Sequence, residues 1–183
     1  MSVFIAADLN FCESEGQDNM LINNWNGIVE KDDTVILLGD IVKKEQYNWD
    51  RIKEIFSSLN GSKEIINVHK ESKSREKWEE ILGKRCYRVT AAVKGKINDK
   101  LHIVIIYPYS TPALEDKDYK GTDMYAAAPR SVTNQKEIFE DNVLSISIND
   151  WGMSPIPYEN IPNMIDDMLL FERMETKEEK LGE

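Results

Sequence analysis

The sequence predicts an α/β fold whose first half is a doubly wound unit of parallel strands. Three short runs, Ser2-Val-Phe-Ile-Ala-Ala7, Thr34-Val-Ile-Leu-Leu38 and Glu64-Ile-Ile66, are apolar or β-branched after their leading Ser2 and Glu64. That is the pattern of strands buried on both faces. Between them stand two stretches with apolar residues at helical spacing: Leu21, Trp25 and Ile28, then Ile52, Ile55, Phe56 and Leu59. Strand and helix in alternation call for right-handed crossovers and a parallel sheet.

Taken in order, Ser2–Ala7 is a strand and Phe11–Asp18 a polar loop. Asn19–Ile28 is an amphipathic helix, and Glu30–Asp33 a charged turn into the Thr34 strand. Ile41–Tyr47 is a loop. Trp49–Leu59 is a helix stopped by Asn60-Gly61. After the Glu64 strand comes a charged loop, then a short helix Glu76–Leu82 ended by Gly83. The pattern then changes. Tyr87–Lys94 and Leu101–Tyr107 read as a hairpin around Asn98-Asp99, which adds an antiparallel component. Met124–Ala127 and Val143–Ile148 are further strands, and Trp151–Pro157 a Pro-rich turn. Ile161–Phe171 is a helix with a Met-rich core stripe.

At 183 residues, 41% hydrophobic and 31% charged, the chain fits one domain over residues 1–171 with a charged tail, 172–183. A net charge of −10 argues against a nucleic-acid backbone or an anionic membrane as partner. Acidic clusters at Glu115–Asp118, Glu137–Asp141 and Glu175–Glu183 leave an acidic mimic of nucleic acid as a minor alternative. With no signal peptide or membrane-length apolar run, and two cysteines, Cys12 and Cys86, the expectation is a cytoplasmic protein with free thiols. Cys12 reads as a small buried side chain, with a reactive thiolate as the alternative.

The three strands share one feature. The first is followed by Asp8-Leu9-Asn10, the second by Gly39-Asp40, the third by Asn67-Val68-His69. In open α/β sheets ligands bind beyond the carboxyl ends of the strands. Two carboxylates and an imidazole on one rim are the beginning of a divalent metal site. Taken singly, each is an ordinary turn former.

With the Asn19–Asn26 helix, the Lys31-Asp-Asp-Thr-Val35 approach, the Asn60-Gly61-Ser62-Lys63 turn, Ile106-Tyr107-Pro108, and Ser145–Trp151 followed by Pro155-Ile-Pro157, these stretches resemble the calcineurin-like metallophosphoesterases. The likeness is to their small bacterial and phage group and spans most of the chain in the family's order. It implies a four-layer α/β/β/α sandwich of two mixed sheets.

It also implies chemistry that this sequence only partly carries. Such enzymes clamp phosphate between two metal ions and activate a bridging water. Of the family's Asp-x-His, Asp8 is kept and Asn10 replaces the His. Of Gly-Asp, both residues are kept, but Lys43 and Lys44 follow, which suit an anion better than a dication. The Gly-Asn-His-Asp or -Glu motif maps onto Asn67–Glu71 in either of two ways, with His69 in the place of the Asn or of the His. The His expected before Tyr-Pro is Ile106, and Gly-His-x-His aligns with Ala126-Ala127-Ala128-Pro129. Ile, Ala and Pro have no donor atom for a metal.

The expectation is therefore a catalytically inactive member, with a vestigial site at Asp8, Asn10, Asp40 and His69 and lost ligands at Ile106, Ala127 and Pro129. It would bind another protein as inhibitor or adaptor, with Tyr107, Tyr109 and Tyr125 on the candidate surface, and would need no cofactor. The alternative is a weak phosphoesterase using one Mn or Zn ion.

Overall fold

The computed structural model describes residues 1–38, 40–43, 48–66, 72–83, 86–87, 93–96, 101–105, 123–128, 143–161, 163–164 and 167. In chain order it contains β1 (Val3–Ala7), α1 (Glu15–Ile28), β2 (Thr34–Leu38), α2 (Trp49–Ser58), β3 (Ser62–Ile66), α3 (Ser72–Leu82), β4 (Cys86–Tyr87), β5 (Val93–Lys96), β6 (Leu101–Ile105), β7 (Asp123–Ala128), β8 (Val143–Ser145) and β9 (Ile156–Pro157). The fold is α/β. One sheet has the order β4-β3-β2-β1-β9, the other β5-β6-β7-β8.

The strand order of the first sheet corrects the doubly wound expectation. β1 to β4 are parallel and stand side by side in chain order. Right-handed crossovers that always step the same way place every helix on the same face. Phe4 and Ala6 of β1, Val35 and Leu37 of β2 and Ile65 of β3 share one core with Leu21 and Trp25 of α1, Ile52, Ile55 and Phe56 of α2, and Trp78 of α3. The alternate residues Ile5, Ala7 and Leu38 point the other way and are also fully buried. Both faces of the sheet are therefore covered, which is why these runs are apolar without alternation.

The second half departs from the reading in three places, one being that the expected strand Val143–Ile148 ends at Ser145 and a 3-10 turn covers Ile148–Asp150. The expected strand Tyr87–Lys94 is divided: Cys86–Tyr87 closes the first sheet beside β3, while Val93–Lys96 opens the second. The hairpin itself is present, with Val93 to Lys96 antiparallel to Ile105 to His102. The Pro-rich stretch holds β9, antiparallel to β1 at Phe4 and Ile5. Pro157 is tolerated because β9 is an edge strand. Of the expected helix Ile161–Phe171, the described residues Ile161, Asn163, Met164 and Asp167 are helical.

The amino ends of the strands are tied together by side chains. Asp33 is buried and accepts from the Ser2 N–H at 2.6 Å and the Glu30 N–H at 2.9 Å. Those two bonds, Ser2 first, hold its carboxyl below the ordinary value of 3.8. A depressed pKa adds stability above the unfolded value that is lost as pH falls through the folded one. Asp33→Asn is therefore expected to unfold more readily than the parent at pH 7. The difference should shrink below pH 3.8, as read by urea midpoints across pH.

Candidate functional site

Beyond their carboxyl ends β1 and β2 stay side by side. The Asp8 N–H donates to the Leu38 carbonyl, Asn10 N–H to Asp40, and Phe11 N–H to Ile41, and Lys43 N–H returns the bond to Phe11. The distances are 3.4, 3.1, 3.0 and 2.9 Å in that order. This extended ladder sets the backbones of Asp8, Asn10 and Asp40 beside one another beyond the strand ends. Asp8 is buried, while Asn10 and Asp40 are half-buried.

The loop achieves this with an unusual backbone. Asp8, Asn10 and Cys12 have φ of +56°, +48° and +68°. Asp and Asn tolerate this left-handed region better than most residues, and a cysteine does so at greater cost. The intervening Leu9 and Phe11 are sent into the core, each 1% exposed. Leu9 thus belongs to the interior. Phe11 stacks edge-on against Phe56 at 6.0 Å.

The Asn10 carboxamide is folded back: its Nδ2 donates to the Asp8 carbonyl at 2.9 Å. Lys43, which follows the second strand end, is paired with an acidic side chain of the loop. Its Nζ meets Glu13 Oε1 at 2.9 Å, and that ion pair lowers the Glu13 pKa. Among the described residues no three His, Cys, Asp or Glu side chains gather as a metal would need. His69, Ile106, Pro129, Tyr107 and Tyr109 lie outside the described residues, and Tyr125 and Ala127 fall on β7.

Behind the rim is a clamp that sequence reading missed. Asp18, on α1 and 2% exposed, accepts from the Cys12 N–H at 2.9 Å through Oδ1. Its Oδ2 lies 3.6 Å from Nη2 of Arg51 on α2. Arg51 also reaches Glu54 at 3.4 Å. One carboxylate thus joins the loop, α1 and α2. Cys12, Ser14, Glu15, Asp18, Asn48 and Arg51 line a cavity of about 340 Å3. Ser14 and Asn48 cap the two helices, accepting from the Gln17 and Arg51 N–H groups. Ser14-Glu-Gly-Gln17 matches the capping-box pattern and was the available signal that α1 starts at Glu15 inside the expected loop. Burial raises the Cys12 pKa, the Asp18 charge adds to that, and Arg51 opposes it. That direction disfavours the thiolate, although Cys12 is half-buried rather than buried as expected.

The fold has a solved counterpart. The Aquifex aeolicus protein AQ665, itself of unknown function, superimposes with a TM-score of 0.58 over 89% of this chain and 98% of its own, at 15% identity. That likeness speaks to fold alone. No protein-family model matches the chain, and no curated protein matches it. No helix among the described residues is long and apolar enough to cross a membrane.

Proposed function

We propose that the chain is a catalytically inactive, metallophosphoesterase-like protein that acts by binding another protein. The observation that carries the reading is the donor inventory of the rim. The segments that carry Asp8 and Asp40 run side by side, yet the Asn10 amide is turned onto the Asp8 backbone. The positions that resemble the family's imidazole ligands hold Ile106, Ala127 and Pro129. Two carboxylates, with His69 as the one imidazole left among the family's motifs, do not hold a two-metal centre.

The four-layer sandwich is part of the same proposal. It is supported by the full burial of Ile5, Ala7 and Leu38 on the face opposite the helices, where a second sheet would lie. The chain after β8 also supports it, because it leaves that sheet and reaches β1. Ser147 bridges Ala7, and the Ala7 N–H donates to the Ile146 carbonyl at 3.2 Å. The register of Asp8, Asn10 and Asp40 favours a second reading, a one-metal phosphoesterase of low activity.

The partner-binding reading is tested with affinity-tagged protein and its recovered partner. Ala127→Glu is expected to abolish capture with the melting temperature nearly unchanged, because the emptied rim is the proposed contact. Asp40→Ala is expected to retain capture. Full binding by a folded Ala127→Glu variant would contradict a partner site at this rim.

A further inference from the structure

The chain contains two Asn-Gly pairs, Asn26-Gly27 and Asn60-Gly61, 34 positions apart. The fold brings them together at the carboxyl ends of α1 and α2. The Asn26 Oδ1 accepts from the Asn60 N–H at 2.7 Å, and its Nδ2 donates to the Ser58 carbonyl at 2.9 Å. The Asn60 Nδ2 donates to the Val29 carbonyl at 3.0 Å. The Asn60 carbonyl accepts from the Trp25 indole N–H, also at 3.0 Å. Asn60 is thus held at its N–H, its carboxamide and its carbonyl.

Asn-Gly is the sequence most prone to intramolecular deamidation, because glycine offers no side chain to block attack. The Gly61 nitrogen would attack the Asn60 Cγ. A Cγ–N bond forms, the Cγ–Nδ2 bond breaks, and Nδ2 leaves as ammonia with the proton given up by the attacking amide. Water then opens the succinimide to an aspartate or isoaspartate at position 60. No redox partner is required.

We propose that Asn60-Gly61 is a latent deamidation site, held shut by the folded state, whose reaction makes unfolding irreversible. For Cγ to reach the Gly61 nitrogen the carboxamide must leave the Val29 carbonyl, and the neighbouring backbone must turn. Gly61 has φ +76° and no free volume: a Cβ there would stand 2.9 Å from Val29 Cγ1 and 3.0 Å from the Asp33 carbonyl oxygen. Attack therefore waits for opening of this corner. The product cannot return to it. A carboxylate has no proton to offer the Val29 carbonyl, and an acceptor facing an acceptor in this half-buried corner is costly. An isoaspartyl linkage also adds a backbone methylene where the packing has no room.

The test is the rate of deamidation at position 60, followed by peptide mass spectrometry at mildly alkaline pH. The native chain, the urea-unfolded chain and a short peptide spanning Ser58–Lys63 are compared. Unfolded chain and peptide are expected to react alike, and the native chain more slowly by about a thousandfold, the scale of the open fraction of a stable domain. Leu21→Ala, which loosens the adjoining core, should raise the native rate in step with its open fraction. Chain deamidated in urea should fail to refold on dilution, while unreacted chain held in urea briefly should refold. Native deamidation as fast as in the peptide would overturn the proposal, as would full refolding of the deamidated chain.

Discussion

Trp25→Ala is expected to lower stability by about 4 kcal/mol, the largest effect of any single truncation considered for this chain. Trp25 is the largest fully buried side chain, packed in the core that α1, α2 and the first sheet share. Truncation leaves a cavity that close-packed neighbours fill only in part. It also removes the indole donor to the Asn60 carbonyl. For a chain of this size the melting temperature should fall by about 12 °C. Trp25→Phe keeps most of the volume and loses the donor, so its smaller loss reports on the hydrogen bond. If thermal unfolding of Trp25→Ala stayed within a degree or two of the parent, the helix-face core would be wrongly drawn.

The second large effect belongs to Asp18. Its carboxylate is buried and ties the loop after β1 to both α1 and α2. Removing one member of a buried pair is costly because the other is left uncompensated. Arg51 is 35% exposed, so water recovers part of that cost. Asp18→Ala is expected to destabilise by about 2 kcal/mol. The Cys12 N–H also loses its acceptor, and the left-handed turn at Cys12 loses a restraint. Alkylation of Cys12, read by peptide mass spectrometry, should therefore quicken in Asp18→Ala beyond what its global stability accounts for. Asp18→Asn keeps an acceptor for the Cys12 N–H and should slow it again. Equal alkylation in all three chains would remove Asp18 from its clamping role.

What could be read from sequence follows from the range of the physics involved. β1, β2, β3 and α2 announce themselves because their burial patterns are local, a run of apolar residues or a period of 3.6. The rim positions of Asp8 and Asp40 follow from strand ends alone. The start of α1 was missed because a polar loop and a capped helix have the same composition, and only the Ser14–Gln17 spacing separates them. β9 was missed because two residues with a proline form a strand only when β1 is there to pair with.

The division of the predicted strand at Tyr87–Lys94 depends on which sheet receives each half, a choice made by tertiary packing. The direction in which the parallel strands accumulate decides whether helices cover one face or two, and no residue type encodes that direction. The Asp18–Arg51 clamp joins residues 33 positions apart on different helices, so no spacing rule could have revealed it. The left-handed backbone at Cys12 runs against residue preference and is held by the Asp18 bond.

Whether the rim holds catalytic metal decides between an inactive chain and an enzyme. The purified chain, equilibrated with manganese or zinc, is dialysed and its metal content measured by elemental analysis. Hydrolysis of bis-nitrophenyl phosphate is followed on the same samples. For an inactive chain the expected result is metal far below one ion per chain and hydrolysis no faster than the metal salt alone. Two ions per chain with metal-dependent turnover lost in Asp40→Ala would contradict it, and one ion per chain with turnover would transfer support to the one-metal phosphoesterase.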